Sequence, residues 1–154
     1  MNDAAAYADH LARQDAAVQA FVDVLLRERD VLATHPVAHA ALAEVTEAKA
    51  QHAEALEVLE RERRALADAA RAGSGATDAE LAQTLGCGEL WARFSARIAQ
   101  ARNQNAINGV AIDTRLSHTE ARLNFLRRNA STSLYAADGQ HRSVPGTGRL
   151  RGGA

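Results

Sequence analysis

Few residues in this chain stand at spacings that reaction chemistry would use. His35 and His39 are four apart, the separation at which two imidazoles on one helix face can share a metal ion, but Pro36 lies between them and no third ligand follows nearby. His52 falls on an apolar helix seam in an acidic context, where a phosphoacceptor histidine could sit, yet the glycine and basic neighbours usual around one are missing. Gly73-Ser74-Gly75 is too short, and wrongly placed after a helix, to cradle phosphate, so it reads as a linker. Cys87 is the only cysteine, which rules out an internal disulfide, and no activating group accompanies it. No catalytic constellation emerges. The expectation is a protein that is not an enzyme and uses no cofactor, metal or small-molecule substrate.

Two other segments ask for an explanation beyond folding. Asn105-Ala106-Ile107-Asn108-Gly109 puts two asparagines and a glycine in the middle of a helical pattern, although each forms helix less readily than alanine. Leu134-Tyr135-Ala136-Ala137-Asp138-Gly139-Gln140 places a lone aromatic after that pattern, before a tail rich in glycine and arginine.

Charge and composition narrow the classes of partner. The formal net charge is −1, but residues 91 to 128 carry seven basic and two acidic side chains. The arginines are spread along a helix with no interleaved aromatics and no docking motif, so nucleic acid is not an expected partner, and a solvated face that complements the acidic first half is the simpler account. No apolar run is long enough to span a membrane, and Met1-Asn2-Asp3-Ala4 lacks the basic start and apolar core of a signal peptide. A cytoplasmic protein is expected.

The elements that must position these residues are all helical. A first helix, about residues 3 to 33, has Leu11, Val18, Phe21, Leu25 and Leu32 on one seam if Gln14 and Glu28 fill its gaps. Thr34-His35-Pro36 interrupts it, since proline turns the preceding residue away from helix. A second helix, about 37 to 72, carries the heptad Leu42, Val45, Lys49, His52, Leu56, Leu59, Arg63 and Leu66, whose polar positions soften the core. Thr77-Asp78-Ala79-Glu80 offers a capped start for a short helix, about 78 to 85, which stops at Gly86-Cys87-Gly88.

A third long helix, about 89 to 129, presents Trp91, Phe94, Ile98, Ala101, Asn105, Asn108, Ile112, Leu116, Leu123 and Leu126 on one side. The two asparagines and Gly109 cost it about 2 kcal/mol of propensity, whereas each of its large apolar residues contributes about 1.5 to 3 kcal/mol on burial. The helix therefore continues through them. The fold class expected is all-α: an elongated antiparallel bundle or coiled coil of three long helices, a short helix in the second connection and a disordered C-terminal tail. A helical domain over 1–130 is followed by a flexible segment over 131–154.

The segment LAEVTEAKAQHAEALEVLERERRAL (42–66), Leu90-Trp91 opening a helix that holds Asn105-x-x-Asn108-Gly109, and then Leu134-Tyr135-x-Ala137-Asp138-Gly139-Gln140 resemble the FlgN family of flagellar type III export chaperones. The resemblance covers about residues 1 to 140. Its departures are Ala136, where the family pattern has glycine, and a long connector from Gly73 to Gly88.

What the resemblance implies is a cytosolic chaperone. It would bind hook–filament junction proteins, the hook-associated proteins, prevent their premature assembly and deliver them to the flagellar export gate and ATPase complex, touching the membrane only through that apparatus. Its client groove would comprise Asn105, Asn108, Gly109, Ile112, Leu116, Leu123 and Leu126, with the asparagines supplying polar register and Gly109 permitting close helix approach. Intramolecular core is an equal reading for the leucines, and seam specification for the asparagines. Leu134, Tyr135, Asp138 and Gly139 would form the gate-docking element; the alternative for Tyr135 is a cap over the helix end. The rival function is a helical scaffold or regulator acting through coiled-coil pairing.

Overall fold

The computed structural model describes residues 3–138, with side chains through Asn129. The chain is all-α, and no strand occurs among the described residues. Among the described residues four helices follow one another: α1 (Asp3–Ala33), α2 (His39–Arg71), α3 (Asp78–Thr84) and α4 (Gly88–Asp138). α1 spans the residues its heptad predicts. α2 begins at His39 rather than Val37, because Ala38 takes an extended conformation at the N-cap. α4 runs nine residues past the expected end at Asn129, through Ser131-Thr132-Ser133. Each of those residues costs only a few tenths of a kcal/mol against alanine, and Ala130, Ala136 and Ala137 flank them, so propensity gives no stop. Leu134, Tyr135 and Asp138 therefore lie in helical backbone and not in a turn. Gly139 lies outside the described residues.

The chain divides into two compact units, Met1–Ile112 and the segment from Asp113 on. In the first, α1 is the central helix. Its contacts with α2 run in opposite order along the two chains: His10 Nε2 meets the Leu59 carbonyl at 2.8 Å, Gln14 Nε2 donates to Glu60, and Lys49 Nζ donates to Glu28. Its contacts with α4 run in the same order, from Asp15 with Arg97 to Leu25 and Glu28 with Asn108. α2 is thus antiparallel to α1, and α4 is parallel to it.

Tyr7, Leu11, Val18, Val22 and Leu25 of α1, Ala67 of α2, Leu81 and Ala82 of α3, and Phe94 and Ala101 of α4 form one buried apolar cluster. α3 closes the end of that cluster. Its start is the expected capping box: the Thr77 hydroxyl accepts from the Glu80 N–H, and the Glu80 carboxylate accepts from the Thr77 N–H at 2.8 Å. The bond from the Thr77 N–H, together with one from the Thr77 hydroxyl to the same carboxylate at 2.9 Å, holds the Glu80 carboxyl below its ordinary range.

Candidate functional site

Of the two asparagines in the Asn105–Gly109 stretch of α4, Asn108 is buried and Asn105 is exposed. Three residues of helix turn them about 60° apart, enough to put one against α1 and the other at the edge of the interface. Asn108 Nδ2 donates to the Leu25 carbonyl and to Glu28 Oε2, both at 2.8 Å, and its Oδ1 accepts from Gln104 Nε2 at 2.9 Å. Glu28 is itself only 2 % exposed and also takes Lys49 Nζ at 3.0 and 3.2 Å. One buried carboxylate therefore ties three helices together. Its charge is balanced by Lys49, and Asn108 occupies a further acceptor direction, as a buried ion requires. The Asn108 side chain is thus buried and engaged within the chain.

Two further polar contacts pin the same unit. The buried Asp15 accepts from Arg97 Nη1 at 2.9 Å and Arg93 Nε at 3.1 Å, while its Oδ1 has no partner among the described residues. Arg63, 4 % exposed, reaches every helix of the fold. It donates to both Glu60 oxygens at 3.0 Å, pairs with Asp78 at 3.1 Å, sets Nη1 3.5 Å from the Tyr7 hydroxyl and lies 5.2 Å from the centre of the Trp91 ring. Arg71 also donates to Asp78.

Burial alone pushes the Glu60 carboxyl up, but hydrogen bonds from Arg63, Gln14 and Arg64 outweigh it and hold the group at about 2. Burial likewise lowers the Arg63 guanidinium, and the bond to Glu60 more than reverses that. The polar seam position at Arg63 thus does not soften the core; it supplies a planar five-donor fork where four helices converge. The heptad exposes Glu28, Lys49 and Arg63 as polar residues in an apolar seam, but it names none of their partners. Asp15 lies one position off the seam and leaves no periodic signal.

The remaining residues proposed for a client surface fall in two places. In the first unit, Asn105 lines an open, mainly apolar cleft of about 200 Å³ with Val18 and Phe21 of α1, Leu56 of α2, and Ile98, Ala101 and Arg102 of α4. Ile112 is half-buried. A Cβ added at Gly109 would meet nothing within 4 Å, so among the described residues the glycine serves no close helix contact. In the second unit, Leu116, Leu123 and Leu126 are 57, 47 and 60 % exposed, which removes intramolecular core as their role among the described residues. Phe125 is 59 % exposed on a different side of the helix.

The other residues singled out for chemistry gain little. His35 joins Pro36 through a cis peptide bond in the turn before α2, which begins at His39. Among the described residues no three histidine, cysteine, aspartate or glutamate side chains come together as a metal site. His52 is half-buried on α2. The Cys87 thiol is buried, its own N–H bonded to the Ala82 carbonyl, and burial pushes its pKa up, the reverse of activation. No described helix is long and apolar enough to cross a membrane.

A sequence model of the family described as FlgN protein matches residues 1–143, nearly the whole chain. The chain belongs to that family, and membership implies a flagellar export chaperone, not an enzyme, that binds export substrates. No curated protein and no solved structure matches it.

Proposed function

We propose that this FlgN-family chain binds hook-associated proteins in the cytosol, keeps them from assembling early and delivers them to the flagellar type III export gate. The observation that carries the reading is the row Leu116, Leu123 and Leu126, three large apolar side chains about half exposed at heptad-like spacing on one helix. A client segment that is helical in the filament and unpaired as a monomer can lay its apolar face along such a row, exchanging two exposed apolar faces for one buried seam. Asn105 and its cleft offer a second contact on the first unit, and Gly109 leaves room for a client backbone. Handover belongs to Leu134, Tyr135, Asp138 and Gly139, in which a tyrosine supplies apolar area and a hydroxyl to a gate pocket.

Mixing the purified chain with the hook-associated proteins of its own genome and measuring complexes by light scattering and calorimetry tests this. Expected is a complex with at least one of them, weakened at least tenfold in the L116A/L123A/L126A variant. A stable homodimer that binds none of them would support the scaffold reading instead.

A further inference from the structure

Between Asp113 and Arg127 the second unit carries a charge code along the edges of its leucine row. With Leu116 and Leu123 at heptad position a, and Thr119 and Leu126 at d, the g positions are Arg115 and Arg122 and the e positions are Asp113, Glu120 and Arg127. One edge of the row is therefore basic. The other is acidic until its last turn. Residues at e and g flank the seam of paired helices and select partner and orientation, so these edges state what the partner presents.

A second copy of this chain fits poorly. Paired antiparallel, its g edge would meet the same g edge and set Arg115 opposite Arg122. Paired parallel, Arg115 would face Glu120 of the other copy, but Arg122 would face Arg127. An anionic membrane fits poorly as well, since Asp113 and Glu120 line one edge and Phe125 lies off the row, so the helix lacks a single apolar side with a uniformly basic border.

We infer that the Leu116–Leu123–Leu126 face takes an amphipathic helix of another protein that carries carboxylates seven residues apart along the edge facing Arg115 and Arg122, and a cation along the edge facing Asp113 and Glu120. The inference rests on the proposed client reading and specifies the chemistry of the client segment. A carboxylate facing each arginine gives the segment a register as well as an attraction, because a slip of one heptad leaves one of the two unmatched. The salt bridges are exposed, so their effect is selectivity among amphipathic helices more than raw affinity.

The test uses the full chain and three synthetic leucine-seam peptides: glutamate at e with lysine at g, glutamate at g with lysine at e, and lysine at both. Exposed pairs of this kind change affinity by about twofold each, so reversing the two arginines shifts it by about tenfold. Expected is that one of the two mixed peptides binds about tenfold more tightly than the all-lysine peptide, and that the R115E/R122E variant, its helicity checked by circular dichroism, reverses that order. The preferred mixed peptide also reports orientation: glutamate at e for a parallel partner, at g for an antiparallel one. Equal binding of all three peptides, or an order unchanged in R115E/R122E while hook-associated proteins still bind, overturns the inference and leaves the chaperone reading standing. Failure of the wild-type chain to bind any hook-associated protein overturns both. Binding to anionic vesicles that is lost in R115E/R122E, without discrimination among peptides, would assign the edge to a membrane, and dimerisation through this face would assign it to a second copy; either refutes the inference.

Discussion

Replacing Asn108 with alanine distinguishes a residue that holds the fold from one that holds a client. The side chain donates to the Glu28 carboxylate and to the Leu25 carbonyl at 2.8 Å, and all of these groups are inaccessible to water in the folded chain. A hydrogen bond to a charged group contributes about 1.5–3 kcal/mol and one to a neutral carbonyl about 0.5–1.5 kcal/mol. The Leu25 carbonyl lies inside α1, where the helix ladder still engages it, so the larger loss is at Glu28. Alanine recovers about 0.5 kcal/mol as a better helix former. The net expectation is a loss of about 2–3 kcal/mol, or a Tm lower by about 5–10 °C in a chain of this size.

Urea and thermal unfolding followed by far-ultraviolet circular dichroism reads this directly. A double-mutant cycle with Glu28→Gln should give a coupling of at least about 1 kcal/mol, because the two side chains share one bond. At temperatures where the variant is folded, its affinity for a hook-associated protein should equal that of the wild type. A stability change under about 0.5 kcal/mol together with a tenfold loss of client affinity would refute the internal role and return Asn108 to the client surface.

Three other outcomes are expected. Gly109→Ala should stabilise the chain by up to about 1 kcal/mol, since its Cβ meets nothing within 4 Å and helix propensity alone decides the sign; if a client helix packs against that spot, Gly109→Trp will weaken client binding without lowering Tm. The Glu60 carboxyl is held at about 2 in the folded chain against an ordinary 4.5, so its contribution to stability is complete above about pH 4.5 and is lost as the pH falls toward 2. Acid titration of Glu60→Gln should accordingly show a shallower loss of stability over that window than the wild type. Tyr135→Ala should retain client binding while abolishing gate binding and motility; a lower Tm with gate binding intact would show that the tyrosine caps the helix instead.

Periodicity made the helices legible because leucine, valine and phenylalanine at three- and four-residue steps determine which side of each helix is buried, whatever it meets. The same steps marked Gln14, Glu28, Lys49 and Arg63 as polar residues in apolar seams, and all but the half-buried Lys49 proved fully buried. What periodicity could not supply was the partner across the interface. Asp15 and Arg97 are joined only once α4 lies parallel to α1, and Arg63 meets Tyr7, Asp78 and Trp91 only when α3 closes the end of the bundle. Asn105 and Asn108 read alike in sequence because a separation of three residues keeps both near one face, and only the position of α1 decides which of them is enclosed. The far end of α4 was misread for a different reason: serine and threonine are indifferent to helix and do not end one, and no glycine occurs between Gly109 and Gly139 to stop it.

The two polar layers between α1 and α4 also limit what kind of sequence change the chain can absorb. Asp15 and Glu28 are spaced along α1 to match Arg97 and Asn108 along α4. Inserting a single residue between Asp15 and Glu28 would rotate everything beyond it by about 100° and advance it by 1.5 Å, so one layer could form only at the expense of the other. Substituting an apolar residue between the layers leaves both in place, and lengthening the Gly73–Thr77 connector disturbs neither. Drift in composition is therefore tolerable along these helices, whereas drift in length is confined to the joints.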